Sequence, residues 1–467
     1  VAQYVRTDNM LAELPSSRRN AFKSAARVLL SEYFNEVAVR LRSADWQPRH
    51  SGGALATGES PNKRWSNATW TERLQQNVPW WDDLTTFPSE IQYSDVTVLA
   101  RHQEPSAKMA LVPKTMKGPR VIVEEPVHLQ FVQQGVLHVM SDLLTEKRFQ
   151  HLAEIFGWLD QQPNRDLAQE GSRIGGFATI DLSEASDRVS LELVEDLFSS
   201  VPYLRDIVMS ARSESVLLPD GRRHVLRKFA SMGSSLCFPI EAMVFYVIVS
   251  IAQAETYAIA PSMLRKTLKY GAVRVYGDDI IVPETVAQKT LSLLEAYGLK
   301  VNEDKTFTTG LFRESCGADW FKGEDVSVFK LTSPLPTKKR HYELLRKAIE
   351  FHNLAYDQGW FLVAEYIERY VSRFHPAIPR VPVGTRTPAL WSWDRDPTCR
   401  TSPRYHRPEY KTLVFREVKP IDKLDGYGAL KKCLTVPGIE PRSSDHLERA
   451  GRSRCVGVNN GWIAVEQ

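Results

Sequence analysis

The chain has 467 residues, 43% hydrophobic and 25% charged, a composition that excludes disorder as the main state and suffices for two or three subdomains around a cleft. A formal net charge of +4 is too small to mark a nucleic-acid binder by itself. Charge is unevenly placed, however: from Arg400 onward thirteen Lys or Arg face eight Asp or Glu, a net of +5, so any such surface upstream must be local.

The N-terminus begins Val1-Ala2-Gln3-Tyr4-Val5-Arg6, without the apolar core of a signal peptide and without an initiator Met, so no export is expected. Ser16-Ser17-Arg18-Arg19 precedes an apolar series at Phe22, Ala26, Leu29, Leu30, Tyr33 and Phe34, whose spacing predicts an amphipathic helix with a Ser cap. Residues 51–67 read as a loop, and the segment from Trp70 to Trp81 as aromatic packing. Strands are predicted over Lys108–Val112 and Arg120–Val123 around a basic loop, Pro113 to Pro119, with a helix over Val127–Leu144 to follow.

Phe177 to Ile180 reads as a short buried strand ending at Asp181, and Ser190 as the cap of a helix bearing Leu191, Val194, Leu197 and Phe198. The apolar stretch Ala242 to Ala254 is well short of the roughly 20 residues of a membrane span and reads as a buried helix, so no membrane partner is expected. Ala272–Tyr276 and Ile280–Val282 flank Gly277-Asp278-Asp279, which predicts a tight hairpin. A helix over Val286–Tyr297 should stop at Gly298, with Lys305 beyond it. Helix returns between Tyr342 and Phe374, and after Pro376 periodicity weakens in a Pro- and Arg-rich segment. The five cysteines are scattered, without metal-ligand spacing, and fit a reduced cytoplasm.

The chemistry rests on carboxylates. Magnesium prefers oxygen ligands, and a nucleotidyl transferase using two such ions needs acidic groups that converge on both. Asp278 and Asp279 at a hairpin tip, with Asp181 at the end of a neighbouring strand, could supply them. Gly-Asp-Asp alone arises by chance in roughly one chain in ten of this length, so the order of features carries the inference. That order is basic loop, strand with Asp181, Gly-Ser turn before a buried helix, hairpin with Asp278 and Asp279, then Lys305.

With these motifs the sequence resembles the replicase subunit of the positive-strand RNA bacteriophages, the leviviruses, of the Qβ-replicase type. The resemblance runs from Val112-Pro113-Lys114 through Glu125-Pro126 and from Gln161 to Asp187, including Thr179-Ile180-Asp181-Leu182-Ser183. It continues through Tyr276-Gly277-Asp278-Asp279-Ile280-Ile281 and Lys305-Thr306-Phe307 to Leu311-Phe312-Arg313-Glu314-Ser315-Cys316-Gly317. About half the chain is covered, and the first and last hundred or so residues are not matched motif by motif.

The resemblance implies an RNA-directed RNA polymerase of α+β class, a right hand of fingers, palm and thumb whose antiparallel palm sheet is flanked by helices. The implied domains are 1–105, an N-terminal helical region with part of the fingers; 106–175, fingers with the basic loop; 176–335, palm with a finger insertion at about 200–228; 336–400, a helical thumb; and 401–467, a basic tail. Asp181, Asp278 and Asp279 would bind two Mg2+ ions, and Lys305 would protonate the departing pyrophosphate, the alternative being a structural surface lysine. Lys114, Lys117 and Arg120 would face the incoming triphosphate, the alternative being a solvated basic loop.

Asp187 would recognise the ribose 2′-hydroxyl, or be an exposed helix-start carboxylate. Gly233 and Ser234 lie in the turn that would support template and ribose; better-known members carry Asn in place of Ser234, which could equally cap the following helix. Arg313, Glu314 and Cys316 read as scaffold. The implied partners are a single-stranded RNA template, ribonucleoside triphosphates, host elongation factors Tu and Ts and a host ribosomal protein, in the cytoplasm of the bacterial host. A reverse transcriptase is the rival enzyme, opposed by the small polar set Ser183, Glu184, Ser186 and Asp187 where that class places a bulky aromatic. A non-enzymatic RNA-binding protein is opposed by the near-neutral chain upstream of Arg400. The +5 of the tail leads to the expectation that residues beyond Trp393 add to RNA affinity.

Overall fold

The computed structural model describes residues 1–11, 13–43, 46, 48–83, 96–115, 118–260, 262–264, 273–393, 399–436 and 445–464. Helices and mainly antiparallel sheets form an α+β architecture in two compact units, Val1–Ser327 with Lys423–Leu447, and Val328–Asp422 with Glu448–Gln467.

The first unit opens with α1 (Ala2–Asn9) and α2 (Ser16–Arg42). The apolar series of α2 is buried as its spacing predicts. The Ser cap is not used: Pro15 holds the cap position and its carbonyl accepts the N–H groups of Arg18 and Arg19. Trp70 is fully buried, its indole N–H donating to the Val78 carbonyl at 2.9 Å, so that aromatic is core.

Strands β1 (Ala107–Thr115) and β2 (Gly118–Glu124) form an antiparallel pair that extends into the predicted loop. Pro113 stands opposite Pro119. Neither can donate, so this is a pair across which no ladder hydrogen bond is exchanged, and proline is tolerated there. Helix α3 (Val127–Leu144) follows as predicted, then α4 (Gln162–Ile174) and β3 (Phe177–Ile180). Strands β4 (Ser215–Leu217) and β5 (Arg223–Val225) complete a four-stranded sheet in the order β2-β1-β4-β5.

Helix α5 (Cys237–Thr256) is mostly apolar and buried around its circumference, Glu241, Ser250 and Gln253 being buried with it, and Pro239 sits in its first turn, where no intrahelical N–H bond is lost. It is the one described helix long and apolar enough to cross a membrane, and here it is the core of the unit. Strands β6 (Arg274–Tyr276) and β7 (Asp279–Pro283) join β3 in an antiparallel sheet ordered β3-β7-β6. Helix α6 (Glu284–Ala296) ends as expected: Gly298 takes φ +86°, and the N–H groups of Gly298 and Leu299 return to the carbonyls of Glu295 and Leu294. Strands β8 (Phe312–Ser315) and β9 (Ala318–Phe321) form a further hairpin.

In the second unit the helical stretch after Tyr342 is broken into α7 (Tyr342–Asp357) and α8 (Phe361–Ser372) by Gly359 at φ +76°. The segment beyond residue 400 is not structureless. Strands β10 (Pro408–Val418) and β11 (Arg454–Ala464) pair antiparallel, and Leu413 enters a core with Leu345, Ile349, Ile367, Val371 and Leu390. Residues 423–447, which separate these strands, belong to the first unit, so neither strand has its partner nearby in sequence.

Candidate active site

The hairpin is built as its residues predict. Tyr276 pairs with Asp279, leaving Gly277 and Asp278 as a two-residue turn. Gly277 takes φ +59°, and a Cβ there would lie 2.2 Å from Cε2 of Phe238, whose ring packs edge-on against Tyr276 at 4.9 Å. Only glycine combines that backbone with that contact. Helix α5 thus presses on the turn from within the core.

The antiparallel register sets the third carboxylate. Ile180 pairs with Ile280, so one step further along the ladder Asp181 comes level with Asp279. On the other edge of β3 runs the segment 300–307: Thr179 exchanges backbone bonds with Phe307, the Ser183 N–H donates to the Lys300 carbonyl at 2.8 Å, and the Asn302 N–H donates to the Asp181 carbonyl at 2.9 Å. The Asn302 side-chain amide also donates to Asp181 Oδ2 at 2.6 Å.

Burial, then the charge of Asp278, pushes the Asp279 carboxyl up to about 6, with a smaller push from Asp181 and relief from the Cys316 backbone N–H and from Lys305. Asp181 is also raised, chiefly by burial and further by Asp278 and Glu314, against the lowering by Asn302 and Lys305. Asp278 itself stands exposed at the tip. The three predicted carboxylates therefore share one electrostatic neighbourhood, and their mutual repulsion is the physical sign of a place for cations.

Lys305 joins them. Burial works against its charge, but the hydrogen bond and charge of Glu314, with Asp181 and Asp279, hold its ammonium above the usual lysine range. Glu314 is therefore more than scaffold, whereas Arg313, buried and bonded to the carbonyls of Phe177, Gly310 and Phe312 and to Glu284, is scaffold as expected.

Asp187 is not a free helix-start carboxylate. Its Oδ1 accepts from Nζ of the fully buried Lys228 at 2.8 Å. Gly233 takes φ +126° against β2, where a Cβ would lie 2.1 Å from the Val123 carbonyl oxygen. Ser234 is buried and its Oγ accepts the Leu236 N–H at 3.4 Å, but α5 begins only at Cys237 with Leu236 at its cap position, so Ser234 braces the turn and does not cap the helix. Arg120 stands exposed on β2. Lys117 and the side chain of Lys114 lie outside the described residues.

Among the described residues no three carboxylate, imidazole or thiol groups close into a preformed metal cage. The donor set nevertheless fits hard divalent ions: carboxylate oxygens only, those of Asp181 and Asp279 raised by burial and by the charge of Asp278, with one ammonium as counter-charge.

The family model described as RNA replicase, beta-chain matches residues 5–347. The chain belongs to that family. It is 35% identical over 306 residues to the RNA-directed RNA polymerase subunit beta of Enterobacteria phage SP, covering 65% of this chain and 48% of that one. To the Escherichia virus Qbeta subunit it is 34% identical over 242 residues, 51% and 36% of the two chains, and to the Escherichia phage MS2 beta chain 36% over 224 residues, 48% and 37%. The chain thus spans about half or less of the length of these relatives. Solved structures resemble it more faintly: the BmCPV RNA-dependent RNA polymerase at elongation state gives TM-score 0.45 at 11% identity over 71% of this chain and 31% of that one. The insertion loop deletion mutant of a human picobirnavirus RNA-dependent RNA polymerase gives 0.41 at 11% over 59% of each. At these scores the likeness carries no functional argument.

Within this replicase beta-chain family member, motif reading passed over Asn302 and Lys228. Asn302 lies only in the stretch between Gly298 and Lys305, and Lys228 only at the edge of the implied finger insertion at about 200–228. No local pattern marks either, because each acts on an aspartate distant in sequence.

Proposed function

We propose that this chain is the catalytic core of an RNA-directed RNA polymerase that replicates a single-stranded positive-sense RNA phage genome. The observation that carries the reading is the gathering of Asp181, Asp278 and Asp279 on adjoining antiparallel strands in a chain of the RNA replicase beta-chain family. In right-hand terms the β3-β7-β6 sheet is the palm and the β2-β1-β4-β5 sheet part of the fingers.

The reaction joins the 3′-oxygen of the growing strand to the α-phosphorus of a ribonucleoside triphosphate, and the bond from that phosphorus to the bridging oxygen breaks to release pyrophosphate. Asp181, Asp278 and Asp279 would hold two Mg2+ ions. When bound, these supply Lewis-acid charge that acidifies the attacking hydroxyl and neutralises the leaving group. Asn302 fixes the rotamer of Asp181, and burial beside Asp278 stores repulsion that a cation relieves. Lys305, kept protonated by Glu314, gives its proton to the departing pyrophosphate. Lys114, Lys117 and Arg120 neutralise the triphosphate, Asp187 accepts a hydrogen bond from the ribose 2′-hydroxyl, and Gly233 lets the turn lie close against β2, with Ser234 at its side.

The template is single-stranded RNA in the bacterial cytoplasm. The relatives are named as beta subunits, which supports an assembly with further proteins, and the phage resemblance points to elongation factors Tu and Ts and a ribosomal protein. The test is template-dependent incorporation of ribonucleotides with magnesium, alone and with host extract. Wild-type protein should extend RNA and a folded Asp278→Asn variant should not; undiminished synthesis by that variant would overturn the assignment.

A further inference from the structure

Helix α1 reaches two of the elements that would handle the ribose. Thr7 Oγ1 donates to Glu184 Oε2 at 2.9 Å and the Gln3 amide donates to Glu184 Oε1, three residues before Asp187, where the chain turns through a left-handed φ of +57°. The Tyr4 hydroxyl shares a 2.6 Å hydrogen bond with Ser231 Oγ, two residues before Gly233. The fully buried Asp8 carboxylate accepts the Lys228 N–H at 2.9 Å and the Arg227 N–H at 3.1 Å, and meets His224 Nε2 at 2.7 Å. Arg212 ties the same segment from the other side, donating to the carbonyls of Leu226, Lys228 and Phe229.

At the centre is Lys228. Its side chain has no exposure, and its ammonium meets Asp187 Oδ1 at 2.8 Å and the Tyr4 ring, whose centroid is 3.3 Å away, with Asp8 adding attraction from further off. A buried ammonium is costly unless paired, and the arrangement gives it one carboxylate oxygen and one aromatic face. The consequence for Asp187 is directional. One oxygen is held from inside the protein, and the other takes no side-chain bond among the described residues, on a side chain that keeps 21% exposure.

We propose that Lys228 is a positioning residue that aims Asp187 at the ribose 2′-hydroxyl of the incoming nucleotide, with Tyr4 of α1 as its support, so that the choice of ribonucleotide over deoxyribonucleotide depends on the N-terminal helix. The proposal rests on the ribose role given to Asp187 under the proposed function. It is tested in the full chain by the ratio of kcat/KM for a ribonucleotide and its deoxyribonucleotide on an RNA template. Where incorporation is too slow, the Kd of the deoxyribonucleotide divided by that of the ribonucleotide, measured without turnover, reads the ground-state part of the same discrimination and moves in the same direction.

Lys228→Met keeps the length and removes the charge, and Tyr4→Leu keeps apolar bulk and removes ring and hydroxyl. Both should lower the ratio by about tenfold or more, the scale of one charged hydrogen bond. Lys228→Met combined with Asp187→Ala should fall no further than Asp187→Ala alone, because the two act as one unit. An unchanged ratio in folded Lys228→Met overturns the proposal, and if that variant fails to fold, an unchanged ratio in Tyr4→Leu does so. An unchanged ratio in Asp187→Ala instead removes the ribose role itself, which separates that failure from the failure of Lys228.

Discussion

The Asn302 amide donates to Asp181 Oδ2 at 2.6 Å, across 121 residues of sequence, while the Asn302 backbone N–H bonds the Asp181 carbonyl. This two-point hold fixes both the strand end and the carboxylate. Asn302→Leu should therefore raise the magnesium concentration for half-maximal incorporation by about 10- to 100-fold, the range found when an outer partner of a metal ligand is lost. A magnesium titration of incorporation, with a thermal melt to confirm folding, measures it.

Glu314 raises the charged range of Lys305, so its removal should act on the alkaline side of the rate profile. In Glu314→Gln the lysine loses a charged partner and its pKa falls. The fall in turnover with rising pH should then begin at lower pH than in wild type, with the acid limb little moved. Lys305→Leu should slow single-nucleotide turnover much more than it weakens nucleotide binding, by about 100-fold or more on the scale of a lost general acid.

Burial and the charge of Asp278 push the Asp279 carboxyl up to about 6 in the folded chain, above the ordinary carboxylate range that applies when it is unfolded. Between those values the folded state binds the extra proton, so stability of the metal-free protein falls as pH rises from about 4 to about 6. Asp181 is shifted in the same direction and adds to the trend. Thermal melts across that window should show the slope, and Asp279→Asn should flatten it. Magnesium should raise the Tm most above pH 6, where the carboxylates are ionised and bind it.

Gly277→Ala places a methyl 2.2 Å from the Phe238 ring at a positive φ. A destabilisation of about 1–3 kcal/mol is expected, read from the urea midpoint. Incorporation should fall further than stability does, because relief of the clash moves the turn that carries Asp278.

Truncation after Trp393 cannot isolate the charge of the C-terminal segment, since it removes β10 and with it Leu413 from the core of the second unit. Point changes can. Arg404 and Arg407 each place a guanidinium 5.2–5.3 Å from the centroid of Tyr405, which is 55% exposed. Replacing both with Ser should reduce the slope of log K against log salt for single-stranded RNA by about 1–2, measured by fluorescence anisotropy.

What the sequence determined by itself is what short-range chemistry encodes. Tyr276 to Asp279 must turn because glycine precedes an aspartate between two β-prone runs, Ser190 caps its helix by accepting the Leu193 N–H, and Gly298 ends another. The apolar run Ala242 to Ala254 between Glu241 and Glu255 reads as too short for a span and therefore as buried, and the strings around Asp181, the hairpin and Lys305 were enough to point to the phage replicases.

Tertiary structure alone decided which groups act on those carboxylates. Asn302 at Asp181, Glu314 at Lys305 and Lys228 at Asp187 are side-chain contacts between segments, and a contact of that kind leaves no periodicity or spacing in either segment. The same holds for Tyr4, bonded to Ser231 over 227 residues, and for β10 and β11, whose pairing reaches across a stretch that folds with the other unit. Ser234 could be read as cap or contact because its hydroxyl suits both, and only the backbone path, with the helix starting at Cys237, chose the turn.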